Sequence, residues 1–545
     1  MMTDLMPVPT RRTARGARRP RSSLWRTLAI PLAYLVIAGF GIWWIDVRPS
    51  AVLAGLDDIA SLLGRMLPPA IPEPANLFAL ILQTLWIAIA GTGFAAIVSV
   101  FLAAAASRHY AGPRVVGLLA RGIIIVLRAI PSLVFALIFV RIFGLGPFAG
   151  ALAIGCHSIG MIAKMMADTF DELSPTAREA VSAAGAGRAQ TFVATTLSRS
   201  MPDIVSLVLY RLDINIRASA VLGIVGAGGI GVALQQAIGS LSYRTAAGII
   251  VVIVLLLLVL EGLSYLAQRA LTQHAAERTV AQLYGAGPDT ARPGWNRPRV
   301  SRALAVWIPL GLFAVAVSQL SLNTSRLGQA WSQARDILAG FLPPHFSVEI
   351  LMGIFETVVM AMTATAFGVV FGLVIAVLST PYLVRFEPLN LLLRSLVVLL
   401  RGVPDIIWAL LFVAALGLGP FAGFLALTIS CTALASKFFT DGLLKIDPLP
   451  VRALEATGAG RLQVFVSGVW PQFVPSFISN TLFTSDLALR ESAVLGIVGA
   501  GGIGFLLQES IVSLDYQTTA GILIGLVVVV VALETVAQQA RRKVL

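Results

Sequence analysis

Charge is scarce in this sequence. Only 12% of its 545 residues are Asp, Glu, Lys or Arg, against about 25% in soluble domains. Hydrophobic residues make up 57%, above the usual share of about 45–50%. A water-soluble fold cannot bury so much apolar surface, so the composition excludes a soluble enzyme and a disordered chain. The sequence therefore predicts an all-α polytopic membrane protein.

Residues that hold metals or carry out catalysis are also few. The two cysteines, Cys156 and Cys431, lie in apolar runs without a CxxC partner, and the four histidines are scattered. This spacing predicts no metal site, no disulfide framework and no catalytic residues. The lack of a paired His/Asp/Glu cluster also weighs against an alternative function, a membrane-embedded enzyme that acts on lipids.

The basic residues are concentrated in three places. The net charge is +13 at pH 7, which in a soluble protein would suggest nucleic-acid binding. Here the arginines flank apolar segments, which is typical of positive-inside topology. We therefore expect no nucleic-acid partner and both termini in the cytoplasm. The three groups are Arg11, Arg12, Arg15, Arg18, Arg19 and Arg21; Arg269, Arg278, Arg292, Arg297, Arg299 and Arg302; and Arg541, Arg542 and Lys543.

The chain contains one unit twice. Ser219–Gly231 reads SAVLGIVGAGGIG, and Ser492–Gly504 reads the same residues at an offset of 273. The same offset maps Gly144–Gly150 onto Gly417–Gly423, again without a difference. A duplication of this length indicates two homologous halves. We divide the sequence into a basic cytoplasmic tail at 1–26, a first half at 27–267, a cytoplasmic linker at 268–301 and a second half at 302–545.

Each half contains about six apolar segments, each long enough for the ~20 residues that span a bilayer. About twelve transmembrane helices are therefore predicted. Because six spans restore the chain's orientation, the halves should be parallel repeats related by a pseudo-two-fold axis along the membrane normal. The fifth segment of each half exceeds a simple span and should break at its glycine cluster. The segments lie near 27–45, 77–105, 116–140, 148–169, 203–237 and 246–267, and near 302–319, 350–378, 389–414, 421–440, 475–510 and 519–540.

The first apolar stretch, Leu28–Ile45, follows a basic region, an order that is also typical of a signal peptide. No small-residue cleavage site follows it, and Trp43-Trp44 is typical of a membrane interface. We therefore interpret this stretch as a retained first membrane helix.

A polar segment between the fourth and fifth spans of each half cannot cross the membrane. Ser174-Pro175 and Asp447-Pro448 are typical helix starts, because a capping side chain precedes a proline at the first helical position. The glycines that follow predict the helix end. One short amphipathic helix should therefore face the cytoplasm in each half. The simplest alternative is a connecting helix that has no partner.

The Glu-Ala pair and the later Gly-Ala of this segment resemble the EAA loop of bacterial ABC-importer permeases. In that family the loop forms a coupling helix that docks on the ATP-binding subunit. The second copy departs from the pattern, because Arg452 occupies the glutamate position and Glu455 follows one turn later. The coupling residues implied by position are Glu179, Ala180, Gly185 and Gly187 in the first half, and Arg452, Glu455, Gly458 and Gly460 in the second.

A more specific resemblance follows the loop. Asp213–Gly223, which reads DINIRASAVLG, and the adjacent glycine motif are similar to phosphonate-uptake permeases, as are Leu127–Pro131 and Leu400–Pro404. The similarity covers roughly 80–270 and 350–540. It implies the transmembrane permease of an ABC importer for phosphonates or related phosphorus oxyanions, phosphate included. A gradient-driven secondary transporter with parallel repeats is the alternative function.

The resemblance also implies partners. Two copies of an ATP-binding subunit should dock on the two coupling helices, and a substrate-binding protein should dock outside a bacterial plasma membrane. The sequence contains no Walker A pattern GxxxxGK[ST]. The chain should therefore bind no cofactor itself, and ATP and Mg would be held by the partner subunits.

Gly226, Gly228, Gly499 and Gly501 belong to a GxGxxG spacing that resembles a dinucleotide fingerprint. The apolar surroundings lack the strand–turn–helix context that this fingerprint needs. Two interpretations remain: close packing of membrane helices, or an interrupted span whose half-helix N-terminus faces an anion.

Charged residues inside spans usually face a cavity or a partner. Arg128, Arg401, Arg217 and Arg490 are therefore candidates to line an anion pathway, since guanidinium groups bind phosphate-like oxygens. The alternative is that they reach an interface or pair with Asp213 and Asp486. Asn215 is a further pathway candidate; its counterpart in the second half is Ala488, so the lining should be asymmetric.

Overall fold

The computed structural model describes residues 34–544 apart from 35, 48, 111–112, 284–296, 322–323 and 385. The predicted basic tail 1–26, the start of the first segment and 284–296 of the predicted linker lie outside the described residues. Within the described ranges the chain is helical and contains no β-strand. The predicted all-α fold of two tandem halves is therefore confirmed, while the division into a tail, two halves and a linker stays a prediction.

The two halves contain the same succession of helices. The first half opens with a helical stretch at 36–44 and continues with α1 (Pro49–Met66), α2 (Pro74–Ala106), α3 (Arg114–Ala129), α4 (Ser132–Phe143), α5 (Pro147–Glu172), α6 (Thr176–Ala183), α7 (Arg188–Thr191), α8 (Ser198–Leu222), α9 (Ile230–Gly239) and α10 (Tyr243–Leu283). The second half contains α11 (Arg297–Gln319), α12 (Thr324–Gly340), α13 (Val348–Leu378), α14 (Glu387–Gly402), α15 (Asp405–Leu416), α16 (Pro420–Leu444), α17 (Pro448–Ala456), α18 (Arg461–Val464), α19 (Trp470–Gly496), α20 (Ile503–Val512) and α21 (Tyr516–Val544).

Six of the described helices are long and apolar enough to cross a membrane, and the number is nine when each of three bent pairs is one span. The straight spans are α2, α5, Tyr243–Leu263 of α10, α13, α16 and Tyr516–Ala540 of α21. The shorter apolar helix Trp307–Gln319 occupies the place of the predicted segment 302–319, and α20 forms the end of the predicted segment 475–510, which begins in α19. The fifth segment of the first half bends by 41° between Arg188–Val225 and α9, as the glycine cluster predicted.

The third predicted segments, 116–140 and 389–414, are not straight spans, which corrects the sequence-based expectation. α3 meets α4 at 94°, and α14 meets α15 at 84°. Pro131 and Pro404 explain both bends. The residue before a proline is driven out of the helical region, and Ile130 accordingly has an extended backbone with φ −86° and ψ 121°.

Two helices, α1 and α12, were not predicted. Each follows the first apolar segment of its half and mixes polar with apolar residues, so a search for long apolar runs passes over it. α1 packs on α15 of the second half, and α12 packs on α4 of the first half. They therefore bridge the two halves.

Other contacts between the halves are reciprocal as well. α3 packs on α21 and α14 packs on α10, while α11 packs on α2. The stretch 36–44 lies against α13, where the rings of Trp44 and Phe355 are 5.0 Å apart. This exchange of equivalent helices is what a pseudo-two-fold axis between parallel repeats produces.

Small residues set the closest helix contacts. A Cβ at Gly91 of α2 would lie 2.7 Å from the carbonyl oxygen of Ala151 on α5, and a Cβ at Gly368 of α13 would lie 2.4 Å from Cβ of Cys431 on α16. Helices in lipid associate through such close packing, because apolar side chains gain little by leaving the hydrocarbon. The α2–α5 and α13–α16 pairs therefore form the centre of each half.

Candidate functional site: two coupling helices and an arginine cluster

The polar segment of the first half folds as predicted into the short helix α6. Its end is set by Gly185, which has φ +86° and donates from its backbone N to the carbonyl of Ser182 at 3.0 Å. A left-handed residue after the last helical turn is the usual place for glycine. Gly187 then begins α7, and its backbone N donates to Oε1 of Gln190 at 3.0 Å.

The second copy, α17, ends in the same way and begins with a side-chain cap. Contrary to the prediction from Ser174-Pro175, α6 lacks such a cap, because Pro175 is itself its N-cap and has no side chain that can accept a hydrogen bond. The Asp447 carboxylate accepts from the backbone N of Leu449 at 2.9 Å, as expected for an N-cap. Gly458 has φ +79° and donates to the carbonyl of Glu455 at 3.0 Å. The helix and its terminating glycine are thus unaffected by the change to Arg452 at the glutamate position.

All eight predicted coupling residues are exposed. Both short helices rest on a π-helical turn at the start of the fifth segment, at Phe192–Leu197 and at Phe465–Val469. A Cβ at Gly468 would lie 2.9 Å from Cδ1 of Leu454, so glycine there lets α17 lie close to its π-helical turn. A displacement of either short helix would therefore reach α8 or α19 directly.

The glycine motifs form the break of the fifth segments. α8 ends at Leu222, a 3-10 turn follows at Gly223–Val225, and Gly226 and Gly228 have φ +83° and +84°. The carbonyl of Gly226 accepts from the backbone N of Gly146 at 3.0 Å, and Gly499 makes the same bond with Gly419. The motifs thus dock on the turn that precedes α5 or α16.

The backbone N–H groups at the N-termini of α9 and α20, which follow these glycines, already donate hydrogen bonds to side chains. In the first half the backbone N of Gly229 donates to Oε1 of Gln83 at 2.8 Å. In the second half the backbone N of Gly502 donates to the Glu356 carboxylate at 3.0 Å, and that of Ile503 donates to Oγ1 of Thr357 at 2.8 Å. Of the two interpretations, this geometry favours close packing over an anion site at the helix ends.

Among the described residues, two ion pairs join the halves. Nη2 of Arg128, at the end of α3, lies 2.9 Å from Oε1 of Glu534 on α21. In the equivalent place Nη1 of Arg401 lies 3.6 Å from Oε1 of Glu261 on α10. The side chains of the four residues are 17–33% exposed. Each arginine thus belongs to one half and its carboxylate to the other.

The other two arginines reach the same places from the fifth segments. Nη1 of Arg217 donates to the carbonyl of Arg401 at 3.2 Å, and Nη1 of Arg490 donates to the carbonyl of Arg128 at 3.5 Å. Arg490 also pairs with Asp486 at 2.9 Å and approaches Glu534 at 3.9 Å. We name Arg128, Arg217, Arg401 and Arg490 the arginine cluster; it lies between the halves.

The fifth polar candidate lies elsewhere. Asn215 is 1% exposed and accepts from Oγ of Ser158 at 3.0 Å while its amide donates to Oγ1 of Thr92 at 2.8 Å. Arg211 donates to the same Ser158 hydroxyl at 3.1 Å. Asn215 is therefore part of a buried network inside the first half, and its contact with a substrate stays a prediction.

Asn215→Leu should destabilise the protein, because it leaves the hydroxyl of Ser158 without its acceptor inside the helix bundle. The expected loss is about 1–3 kcal/mol of the free energy of unfolding, as for other buried polar groups that lose a partner. Asn480→Leu is the matched control, since Asn480 is only half-buried and its amide donates to the carbonyl of Phe438 at 3.5 Å and, within its own helix, to Oγ of Ser476 at 3.2 Å. A thermal midpoint in detergent that is lowered equally by both substitutions would contradict the network's role.

Glu261 and Glu534 are the residues of the site that sequence reasoning missed. The two glutamates are equivalent at the offset of 273 between the halves, but nothing in the sequence joins Glu534 to Arg128, which lies 406 positions earlier. The sequence signal that could have marked both glutamates as site residues is a carboxylate at the equivalent position of the last span in each half.

Comparison with known proteins agrees with this architecture. The family described as the binding-protein-dependent transport system inner membrane component matches residues 100–276 and again 368–543. The chain is 36% identical to the phosphate-import permease protein PhnE of Mycolicibacterium smegmatis over 495 residues, 90% of each chain. It is 32% identical to the phosphite transport system permease protein PtxC of Stutzerimonas stutzeri over 44% of this chain and 88% of that protein. It is also 37% identical to the putative cryptic phosphonate transport system permease protein PhnE2 of Escherichia coli over 22% of this chain and 97% of that protein. The chain belongs to the binding-protein-dependent transport inner-membrane family and contains two copies of its domain.

Proposed function

We propose that this chain is the complete transmembrane pathway of an ABC importer for phosphonates or related phosphorus oxyanions, phosphate included. The observation that carries the proposal is the arginine cluster, to which both halves contribute at their interface. Guanidinium groups bind the oxygens of such anions with strong, directional hydrogen bonds. The relatives named above, which carry phosphate, phosphite and phosphonate in their names, support the same substrate class.

The two exposed helices α6 and α17 are the proposed docking sites for the motor. One ATP-binding subunit would dock on each helix, so one fused chain replaces two permease copies. ATP and Mg would be bound by those subunits, and this chain would not be an enzyme. A movement of α6 or α17 would pass through its π-helical turn into the fifth segment, which carries Arg217 or Arg490.

The remaining features of the proposal concern location. The chain would cross the bacterial plasma membrane several times, with both termini and both coupling helices in the cytoplasm. A substrate-binding protein would dock on the opposite face and deliver the anion to the arginine cluster. ATP binding would draw the coupling helices together and rock the halves apart on that face.

The arginine cluster can be tested with Arg217→Ala combined with Arg490→Ala. Because these guanidinium groups would contact the anion in transit, uptake of phosphate or methylphosphonate should fall by about tenfold or more, as expected when charged hydrogen bonds are lost. ATP hydrolysis by the assembled complex should fall much less. Unchanged uptake in the double variant would exclude both arginines from the pathway.

The alternative, a gradient-driven transporter, differs from an ABC importer in its energy source. Right-side-out vesicles loaded with ATP should take up the anion at an undiminished rate after a proton uncoupler is added. Uptake that stops with the uncoupler and continues without ATP would contradict the ABC importer.

A further inference from the structure

The carboxylates of Glu534 and Glu261 each lie against the arginine cluster at the interface between the halves. Glu534 lies 2.9 Å from Arg128 and 3.9 Å from Arg490, so one carboxylate is shared by an arginine from each half. Glu261 lies 3.6 Å from Arg401. A carboxylate between two guanidinium groups has the charge and the planar acceptor geometry that such groups bind best.

The arginine cluster also has donors that these carboxylates do not use. Nε of Arg128, of Arg217 and of Arg490 is shielded from solvent and finds no acceptor within the described part of the chain. Arg490 itself is only 9% exposed. A buried charged donor without an acceptor is costly, so the cluster is built to accept more oxygen atoms than Glu261 and Glu534 provide.

We propose that Glu534 and Glu261 are internal substitutes for the transported anion, and that the anion opens the path by displacing them; this rests on the function proposed above. A phosphorus oxyanion offers more oxygen acceptors and can carry more charge than a carboxylate. It can therefore satisfy both the Nη donors that the carboxylates hold and the Nε donors that they leave free.

Displacement has a mechanical consequence. The Arg128–Glu534 pair joins α3 to α21, and the Arg401–Glu261 pair joins α14 to α10, so both pairs hold one half to the other. When an anion replaces the carboxylates, these links between the halves are lost. The halves are then free to separate, and the last spans α10 and α21 act as anchors only when the cluster holds no substrate.

The test uses the full chain with its ATP-binding subunits in lipid nanodiscs, without binding protein. Glu534→Gln removes the competing charge and keeps the side-chain shape. Binding of radiolabelled orthophosphate to the complex should tighten by about tenfold, the effect of one charged hydrogen bond. ATP hydrolysis without binding protein should rise. Glu261→Gln should act in the same direction but more weakly, because Glu261 contacts its arginine at 3.6 Å rather than 2.9 Å.

Two further variants separate this role from a structural one. Arg128→Gln combined with Glu534→Gln leaves no unpaired charge, so the protein should fold; hydrolysis should remain raised while phosphate binding becomes weaker than in the wild type. Asp441→Asn is the matched control, because Asp441 pairs at 3.6 Å with Lys437 on its own helix, with half-exposed side chains. It should change neither quantity.

The direction in which orthophosphate affinity changes distinguishes a competing carboxylate from a structural one. Replacing a carboxylate that has only a structural role would lower both orthophosphate binding and ATP hydrolysis. Only the removal of a carboxylate that competes with the anion would raise the affinity for orthophosphate. If the wild-type complex transports phosphorus oxyanions but Glu534→Gln binds orthophosphate no more tightly than the wild type, the anchor role of Glu534 alone would be overturned. A wild-type complex that neither binds nor transports them would overturn the proposed function itself.

Discussion

Gly458→Trp is expected to abolish ATP-driven uptake while the protein still inserts and folds. Gly458 is exposed at the end of α17, and no atom of the described residues lies within 4 Å of the position of an added Cβ. The indole would therefore project from the proposed docking face without a clash at Cβ, at the cost of about 1–2 kcal/mol of backbone strain from the left-handed φ of Gly458. Loss of an interface contact worth about 2 kcal/mol would reduce uptake about thirtyfold, and a steric block should reduce it further.

The matched control is Gly458→Asn. Gly458 has φ +79°, a conformation that asparagine tolerates better than other residues, so this variant should keep most of its transport. Uptake of the anion, ATP hydrolysis and co-purification of the ATP-binding subunit are measured for both variants. Normal uptake in Gly458→Trp would show that α17 is a connecting helix and not a docking site.

Gly501→Ala is expected to destabilise the second half strongly. Gly501 has φ +81°, and an added Cβ would lie 2.7 Å from Cα and N of Pro420 and 2.9 Å from the Glu356 carboxylate. Backbone atoms at this distance cannot move aside cheaply. The cost should be about 1–3 kcal/mol for overpacking in addition to about 1–2 kcal/mol for a left-handed non-glycine residue.

Gly417→Ala separates the two contributions. Gly417 has φ +89°, but an added Cβ would have no neighbour within 4 Å in the part of the chain that the structure describes, so only the backbone strain remains. The thermal midpoint in detergent should therefore fall for Gly417→Ala and fall clearly further for Gly501→Ala. Equal midpoints would mean that the glycine motif does not pack closely on the turn before α16.

The features that the sequence predicted correctly are local. The apolar spans, the caps at Asp447 and Gly458, and the break at the glycine motif each depend on residues that are neighbours in the chain. Capping side chains and left-handed glycines act over one helical turn, so a single sequence is enough to locate them.

The features that it did not predict depend on which helix faces which. The apolar surface of a membrane helix is suited equally to lipid and to a neighbouring helix. Composition therefore cannot reveal that α3 packs on α21 of the other half, or that Arg128 meets Glu534. The bends at Pro131 and Pro404 could have been predicted, since the residue before a proline avoids the helical conformation. The long apolar runs on either side of these prolines favoured an interpretation as straight spans.

The central claim, that this chain is the membrane pathway of an ATP-driven importer for phosphorus oxyanions, is tested most directly by its partners. The full chain is purified gently from its native membranes and reconstituted with the co-purifying subunits and the binding protein. ATP hydrolysis is then measured with and without phosphate and methylphosphonate. We expect a co-purifying ATP-binding subunit whose rate of ATP hydrolysis rises when the loaded binding protein is added. A chain that purifies alone, hydrolyses no ATP with any of these additions and supports gradient-driven uptake would contradict it.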